Sequence, residues 1–163
     1  VRAAAATDAL AFAAVLEAWD AADSTANLYA DLAAAAREHA DAVDDDPTQD
    51  AQPLLYDALS GLKATPARLG GLLGRYLVVS EYASQMVGFF VGDADPTAAA
   101  DFRELRSALD TEHDRVVDTL DSACTTDDGW ATARDAAETV IDAAYDDYVE
   151  TLESRGIKPK NVC

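Results

Sequence analysis

Apolar residues recur along this chain at intervals of three, four and seven positions, the spacing that places side chains on one face of an α-helix. The first run continues from Phe12 through Trp19 and Tyr29 to Val43 without a break in the pattern. We therefore predict one long helix over 7–44 rather than two. The same spacing predicts further helices over 53–62, 66–91, 97–123 and 129–154.

Helix-capping residues stand at the breaks between these runs. Thr65 and Asp95 each precede a proline, which places a capping side chain before the first helical positions. Thr126 or Asp127 can cap the last helix, and Gly156, with a proline shortly after it, is typical of a helix end. Alternating runs and hairpin dipeptides, which would indicate strands, are nearly absent. We predict an all-α fold, an antiparallel four-helix-type bundle with one extra short helix, in a single domain over 1–163.

The segment 69–92 is the most apolar part of the chain, and Arg75 and Glu81 are its only charged residues. A membrane-spanning helix needs about 20 consecutive apolar residues, whereas the longest uncharged run here is 82–92. The two charges lie six positions apart, so they cannot pair along one helix, and their burial in lipid would cost roughly 5 kcal/mol or more. We expect no membrane insertion and predict a packing helix instead.

Small residues recur every fourth position in this helix, and they form a groove that lets another helix come close. They are Gly70 and Gly74 in the first half of the helix, and Ser80, Ser84, Gly88 and Gly92 in the second half. One interpretation is that neighbours from the same chain cover the whole helix. The other is that the face of the second group packs on a second copy in a homodimer.

Acidic residues dominate the charge, since 31 Asp and Glu oppose 12 Lys and Arg, for a net charge of −19. So much like charge repels itself in dilute buffer, whereas about 1 M salt shortens the screening length to roughly 3 Å. The composition resembles that of cytoplasmic proteins from salt-in halophiles, so we expect a cytoplasmic protein adapted to high salt. Clustered basic residues that would contact phosphates are missing, which argues against nucleic acid as a partner.

Known catalytic and metal-binding motifs are also missing. The sequence contains no signature of nucleotide-binding loops, dinucleotide folds, zinc proteases or serine hydrolases, and the run 44–46 of three aspartates lacks the other residues of an EF-hand. Cys124 and Cys163 form no CxxC pair, and we expect no disulfide between them in an intracellular protein. The start of the chain lacks the layout of a signal peptide.

Histidine and carboxylate residues offer one candidate metal site. His39 and His113 lie on or beside the apolar stripes of their helices, and Asp110 precedes His113 by one turn. Because ferritin-like bundles hold metals with inward carboxylates and ExxH pairs, His39, Glu81, Asp110 and His113 form a candidate transition-metal site. However, His39 has Ala36 where its paired carboxylate would be, so the doubled ExxH signature is missing.

The leading hypothesis is a non-enzymatic helical bundle that acts through self-association as a homodimer, or by binding a partner or effector. No cofactor is expected. A ferritin-like metal-binding protein is the alternative. A third possibility is a small-molecule pocket between helices lined by aromatic residues, although such residues at helical spacing more often belong to a core. The candidates for this pocket are Trp19, Tyr76, Tyr82, Phe89 and Phe90.

Overall fold

The computed structural model describes residues 2–19, 25–43 and 53–158. Within these ranges the chain is helical and contains no strand, so the predicted all-α class is confirmed. The helices of the described ranges pack as a bundle. They are α1 (Arg2–Ala18), α2 (Ala26–Val43), α3 (Leu54–Ser60), α4 (Thr65–Gly92), α5 (Pro96–Ala123) and α6 (Asp127–Ser154).

The predicted single helix over 7–44 is wrong, because α1 and α2 are separate helices that pack against each other. Thr25 directly precedes α2, and its carbonyl oxygen accepts a hydrogen bond of 3.0 Å from the backbone N–H of Tyr29. Thr is a poor residue for a helix interior, because its hydroxyl can compete with helical hydrogen bonds. The spacing of apolar residues could not reveal the break between α1 and α2, because each helix buries a row of apolar residues with the same spacing. The other four helices agree with their predicted bounds to within two residues.

The capping predictions hold at two helix starts and one helix end. Asp95 caps α5 and Thr126 caps α6, each by accepting a hydrogen bond from the backbone N–H three residues later. Gly156 adopts a φ of 72° just beyond α6, in the left-handed conformation that glycine adopts without strain. The prediction for Thr65 is wrong. It is the first residue of α4, and Ala64 takes the cap position without a side-chain hydrogen bond.

The first half of α4 packs closely on α6. A Cβ atom at Gly70 would lie well inside van der Waals contact with the backbone of Ala133, and one at Gly74 would lie 2.7 Å from the carbonyl oxygen of Ala137. Gly70 lies against Ala133, and Gly74, four residues later, lies against Ala137, four residues later on α6. The two helices therefore run in the same direction. Here the groove of small residues is filled by a helix of the same chain. The other long neighbour of α4 is α5.

The main cluster of buried apolar residues draws on all six helices named above. Near its middle, the rings of Phe12 and Tyr76 meet edge-on with centroids 5.8 Å apart, and the ring of Tyr56 lies 6.5 Å from that of Phe12. A second cluster joins Phe90 to Phe102, whose rings stack at 5.5 Å. Long-range aromatic contacts therefore connect α1, α3 and α4 in one core, and α4 with α5 in the other.

Two predictions concern residues outside the described ranges. One is that the acidic run 44–46 is not part of an EF-hand, and the other is that Cys163 forms no disulfide with Cys124. Cys124, the other cysteine, is buried and carries a free thiol. Among the described helices, none combines the length and the apolar character that crossing a membrane requires.

Candidate functional site

The predicted interface lies on the second half of α4, where the helix is much less covered than in its first half. Ser80 and Ser84 are half-buried, whereas Gly88 and Gly92 are exposed. No atom of another described element lies within 4 Å of the position that a Cβ atom would take at either glycine. The groove that α6 fills at the start of α4 is therefore unoccupied at its end within the described chain.

This uncovered surface continues the face of α4 that contacts α6. Steps of three and four residues lead from Gly74 through Leu77 to Ser84 and Gly88, so these side chains share one side of the helix. Leu77 is 49% exposed and Val91, on the same side, is 57% exposed. We term this set the α4 surface, and its members are Leu77, Ser80, Ser84, Gly88, Val91 and Gly92. Glu81 lies among them and is also exposed.

Along α6, the residues that are buried lie in the first half of the helix. The buried residues of α6 are Ala133, Ala136 and Val140, and none of its later residues is buried. Beyond them, the carboxylate of Asp147 accepts a hydrogen bond from the backbone N–H of Leu54 at the start of α3. A later turn of α6 thus contacts α3, and the second half of α4 has exposed apolar residues such as Leu77 and Val91.

A chain of hydrogen bonds connects α2, α5 and α4 inside the bundle. Glu112 is 7% exposed. Its Oε1 lies 2.6 Å from Nε2 of His39, and its Oε2 accepts a hydrogen bond of 2.9 Å from the hydroxyl of Tyr76. Burial raises the pKa of Tyr76, so its hydroxyl keeps the proton that it donates. Because an ionised carboxylate only accepts, we assign the proton between Glu112 and His39 to Nε2.

A second buried polar contact joins α4 to α1. Arg75 is 3% exposed, its Nη2 lies 3.1 Å from Oδ2 of Asp8, and its guanidinium carbon lies 3.9 Å from the centre of the Phe12 ring. Burial alone would lower the pKa of Arg75, but the neighbouring Tyr56 and Asp8 raise it more, so it stays above its ordinary value. The arginine therefore remains charged, and its contacts with Asp8 and Phe12 hold α1 against α4.

A cavity of about 280 Å³ lies between α2 and α5, next to the hydrogen-bonded chain. His39, Glu38 and Val43 line it from α2, and Glu104 and Leu105 line it from α5. Asp101 also lines it, but its carboxylate pairs with Arg2 at 2.8 Å. The cavity is thus lined by apolar side chains, by carboxylates and by one imidazole ring.

The four predicted metal ligands have different surroundings. His39 bonds to Glu112, and His113 Nδ1 lies 3.3 Å from the carboxylate of its neighbour Asp114. Asp110 and Glu81 are both exposed. In the part of the chain that the structure describes, no three His, Cys, Asp or Glu side chains converge as a metal site requires.

The aromatic residues considered for a ligand pocket lie in the core or on the surface. Trp19 and Tyr76 belong to the main buried cluster, and Phe90 and Tyr82 to the second. Phe89 is 51% exposed. None of the five lines the cavity between α2 and α5.

Glu112 and Asp8 were not predicted from the sequence, although both carry a recognisable signal. Glu112 stands three residues after Leu109 and four before Val116, both of which are buried. It therefore occupies a core position of the α5 stripe, where a carboxylate needs a buried partner. Asp8 stands four residues before Phe12 on the α1 stripe and carries the same signal.

Compared with protein-family models, curated proteins and solved structures, the chain has no significant match.

Proposed function

We propose that this chain functions without catalysis, by forming a homodimer in which the α4 surface of one copy packs on the α4 surface of the other. The observation that carries the proposal is the pair of glycines at the end of an exposed apolar face. Gly70 and Gly74 show how closely a helix approaches α4 where glycine spacing permits it. Gly88 and Gly92 repeat that spacing, with Leu77 and Val91 exposed on the same side.

Charge favours a second copy over a basic or acidic partner at this surface. The segment 76–92 contains a single charged residue, Glu81, in a chain of net charge −19. Two copies of such a chain repel each other least where the density of charge is lowest. In the proposed dimer the twofold axis passes near Gly88, so that Gly88 of one copy faces Gly88 of the other and the two α4 surfaces pair along their length.

We also propose that α1, α2, α4 and α5 form an antiparallel four-helix arrangement, with α3 and α6 beside it. The order of contacts between helices supports this. Along α1 and α4, Asp8 meets Arg75 while Trp19 meets Arg68, so the two helices run in opposite directions. Along α2 and α5, Asp31 pairs with Arg115 and His39 with Glu112, again in opposite order.

The environment that we propose is a cytoplasm rich in salt. The chain carries 31 acidic and 12 basic residues, and molar salt screens the repulsion between them within the fold and between copies. Salt should therefore stabilise both the fold of each chain and the association of two chains.

Cysteine cross-linking tests the proposed contact directly. Gly88→Cys, in a chain that also carries Cys163→Ser, should form a covalent dimer rapidly under mild oxidation, because disulfides form between Cα atoms about 4.4–6.8 Å apart. Ser107→Cys in the same background is the control, since Ser107 is exposed on α5 and does not belong to the α4 surface. Equal cross-linking rates for the two variants would contradict the proposal.

A further inference from the structure

The hydrogen-bonded chain that begins at Tyr76 ends at the cavity between α2 and α5. Tyr76 donates to Glu112, Glu112 accepts from Nε2 of His39, and His39 lines the cavity. A ring that is held through one nitrogen has a fixed orientation and a fixed tautomer. In the neutral ring, the other nitrogen, Nδ1, is then an acceptor, and it has no hydrogen-bond partner among the described residues.

The arrangement is more than a surface histidine beside acidic residues. Glu112 and Tyr76 are both buried, and a buried carboxylate is costly unless it is held by donors. Here three helices each supply one residue, and the result is an imidazole with a set direction at the cavity. This is how proteins position a histidine to accept a hydrogen bond from a ligand.

The remaining lining residues restrict what the cavity can hold. The carboxylates of Glu38 and Glu104 have no ion-pair partner among the described residues and oppose an anion. Val43 and Leu105 supply an apolar wall. A ligand that fits these groups carries a positive charge, N–H donors and a short hydrocarbon chain.

We propose that the cavity binds a small aliphatic primary amine, whose ammonium group donates to Nδ1 of His39 and lies near the carboxylates of Glu38 and Glu104. The hydrocarbon part lies against Val43 and Leu105. A volume of about 280 Å³ is at the small end for ligand sites, and it accommodates a chain of a few carbons. The site is separate from the α4 surface, so its test is independent of dimer formation.

Nuclear magnetic resonance of the two histidine rings tests the proposal with n-butylammonium as the probe. The ring signals of His39 should shift and saturate as n-butylammonium chloride is added, whereas those of His113, which lies outside the cavity, should not move. Butanol and butyrate, which have the same chain without the positive charge, should bind at least ten-fold more weakly. Glu104→Gln should weaken binding of the amine several-fold.

Glu138→Gln on α6 is the matched control, because it removes the same charge from an exposed position outside the cavity. The proposal is overturned if His39 shows no saturable shift with the amine, or if Glu138→Gln weakens binding as much as Glu104→Gln. It is also overturned if butanol binds as tightly as the amine, or if Zn²⁺ saturates the His39 shift and the amine does not.

Discussion

At the scale of single residues, the structure depends on polar groups placed within an apolar core. Glu112 is the clearest case, since a carboxylate with 7% exposure is held by the donors of His39 and Tyr76. Arg75 is held in the same way by Asp8, and the face of Phe12 covers its guanidinium group. Such contacts favour one packing of the helices, because a shifted helix would leave a buried polar group without its partner.

Tyr76→Phe measures how much the hydrogen bond from Tyr76 to Glu112 contributes to the stability of the fold. The substitution keeps the ring in the core and removes the hydroxyl that donates to Glu112. We expect the free energy of unfolding to fall by about 1.5–3 kcal/mol, because a hydrogen bond to a charged and buried acceptor is lost. Urea denaturation in molar KCl gives the value.

Tyr145→Phe is the control for this experiment. Tyr145 is 46% exposed, so the loss of its hydroxyl should change the free energy of unfolding by no more than about 0.5 kcal/mol. Equal effects of the two substitutions would show that the bond from Tyr76 to Glu112 contributes nothing to stability.

At the scale of helices, α4 has two halves with different environments. Gly70 and Gly74 in the first half admit the backbone of α6, and Gly88 and Gly92 in the second half face no other described element. A later turn of α6 contacts α3, where the carboxylate of Asp147 accepts a hydrogen bond from the backbone N–H of Leu54. One continuous face of α4 is thus buried at one end of the helix and exposed at the other.

Gly70→Ala tests the close contact between α4 and α6. The new methyl group would overlap the backbone of Ala133, so the two helices must move apart. We expect unfolding to become easier by about 1–3 kcal/mol, the usual cost of overpacking, even though alanine favours a helix more than glycine does. Thermal and urea denaturation report the change.

Gly61→Ala is the matched control for Gly70→Ala. Gly61 has φ −70° and ψ −19°, which alanine adopts without strain, and its added Cβ atom would have only ordinary contacts. This substitution should be neutral or should stabilise the fold by up to about 1 kcal/mol. If Gly70→Ala were equally harmless, the described contact between α4 and α6 would be wrong.

Much of the helical structure could be predicted from sequence, because apolar spacing and capping residues are local signals. The bounds of α4, α5 and α6 and the caps at Asp95 and Thr126 follow from such signals. The break between α1 and α2 could not be predicted, because the apolar spacing continues through it. The exposure of the second half of α4 also could not be predicted, because it depends on how the helices pack in three dimensions. His39 was recognised as a candidate, but its partner Glu112 depends on how α2 and α5 meet.

At the scale of the whole molecule, charge is the dominant feature. A net charge of −19 on 163 residues destabilises a compact state through self-repulsion, and salt screens that repulsion. The ion pairs of the described chain offset little of it, because those such as Arg37 with Glu17 are largely exposed.

The melting temperature should therefore rise steeply between dilute buffer and molar KCl. The expected cause is screening of carboxylate repulsion, since the screening length falls from about 30 Å at 0.01 M to about 3 Å at 1 M. Differential scanning calorimetry across this range gives the result. A melting temperature that does not change with KCl would contradict the proposed adaptation to salt.

The central claim is that two copies associate through the α4 surface, and sedimentation equilibrium in about 2 M KCl, where charge repulsion is screened, tests it most directly. The account predicts that the mass approaches twice the chain mass of 17.2 kDa as the concentration rises. Val91→Glu, on the α4 surface, should remain at the mass of one chain, and Val117→Glu, at an exposed position of α5, should still dimerise. A wild-type chain that keeps the mass of a single copy at every concentration would contradict the account.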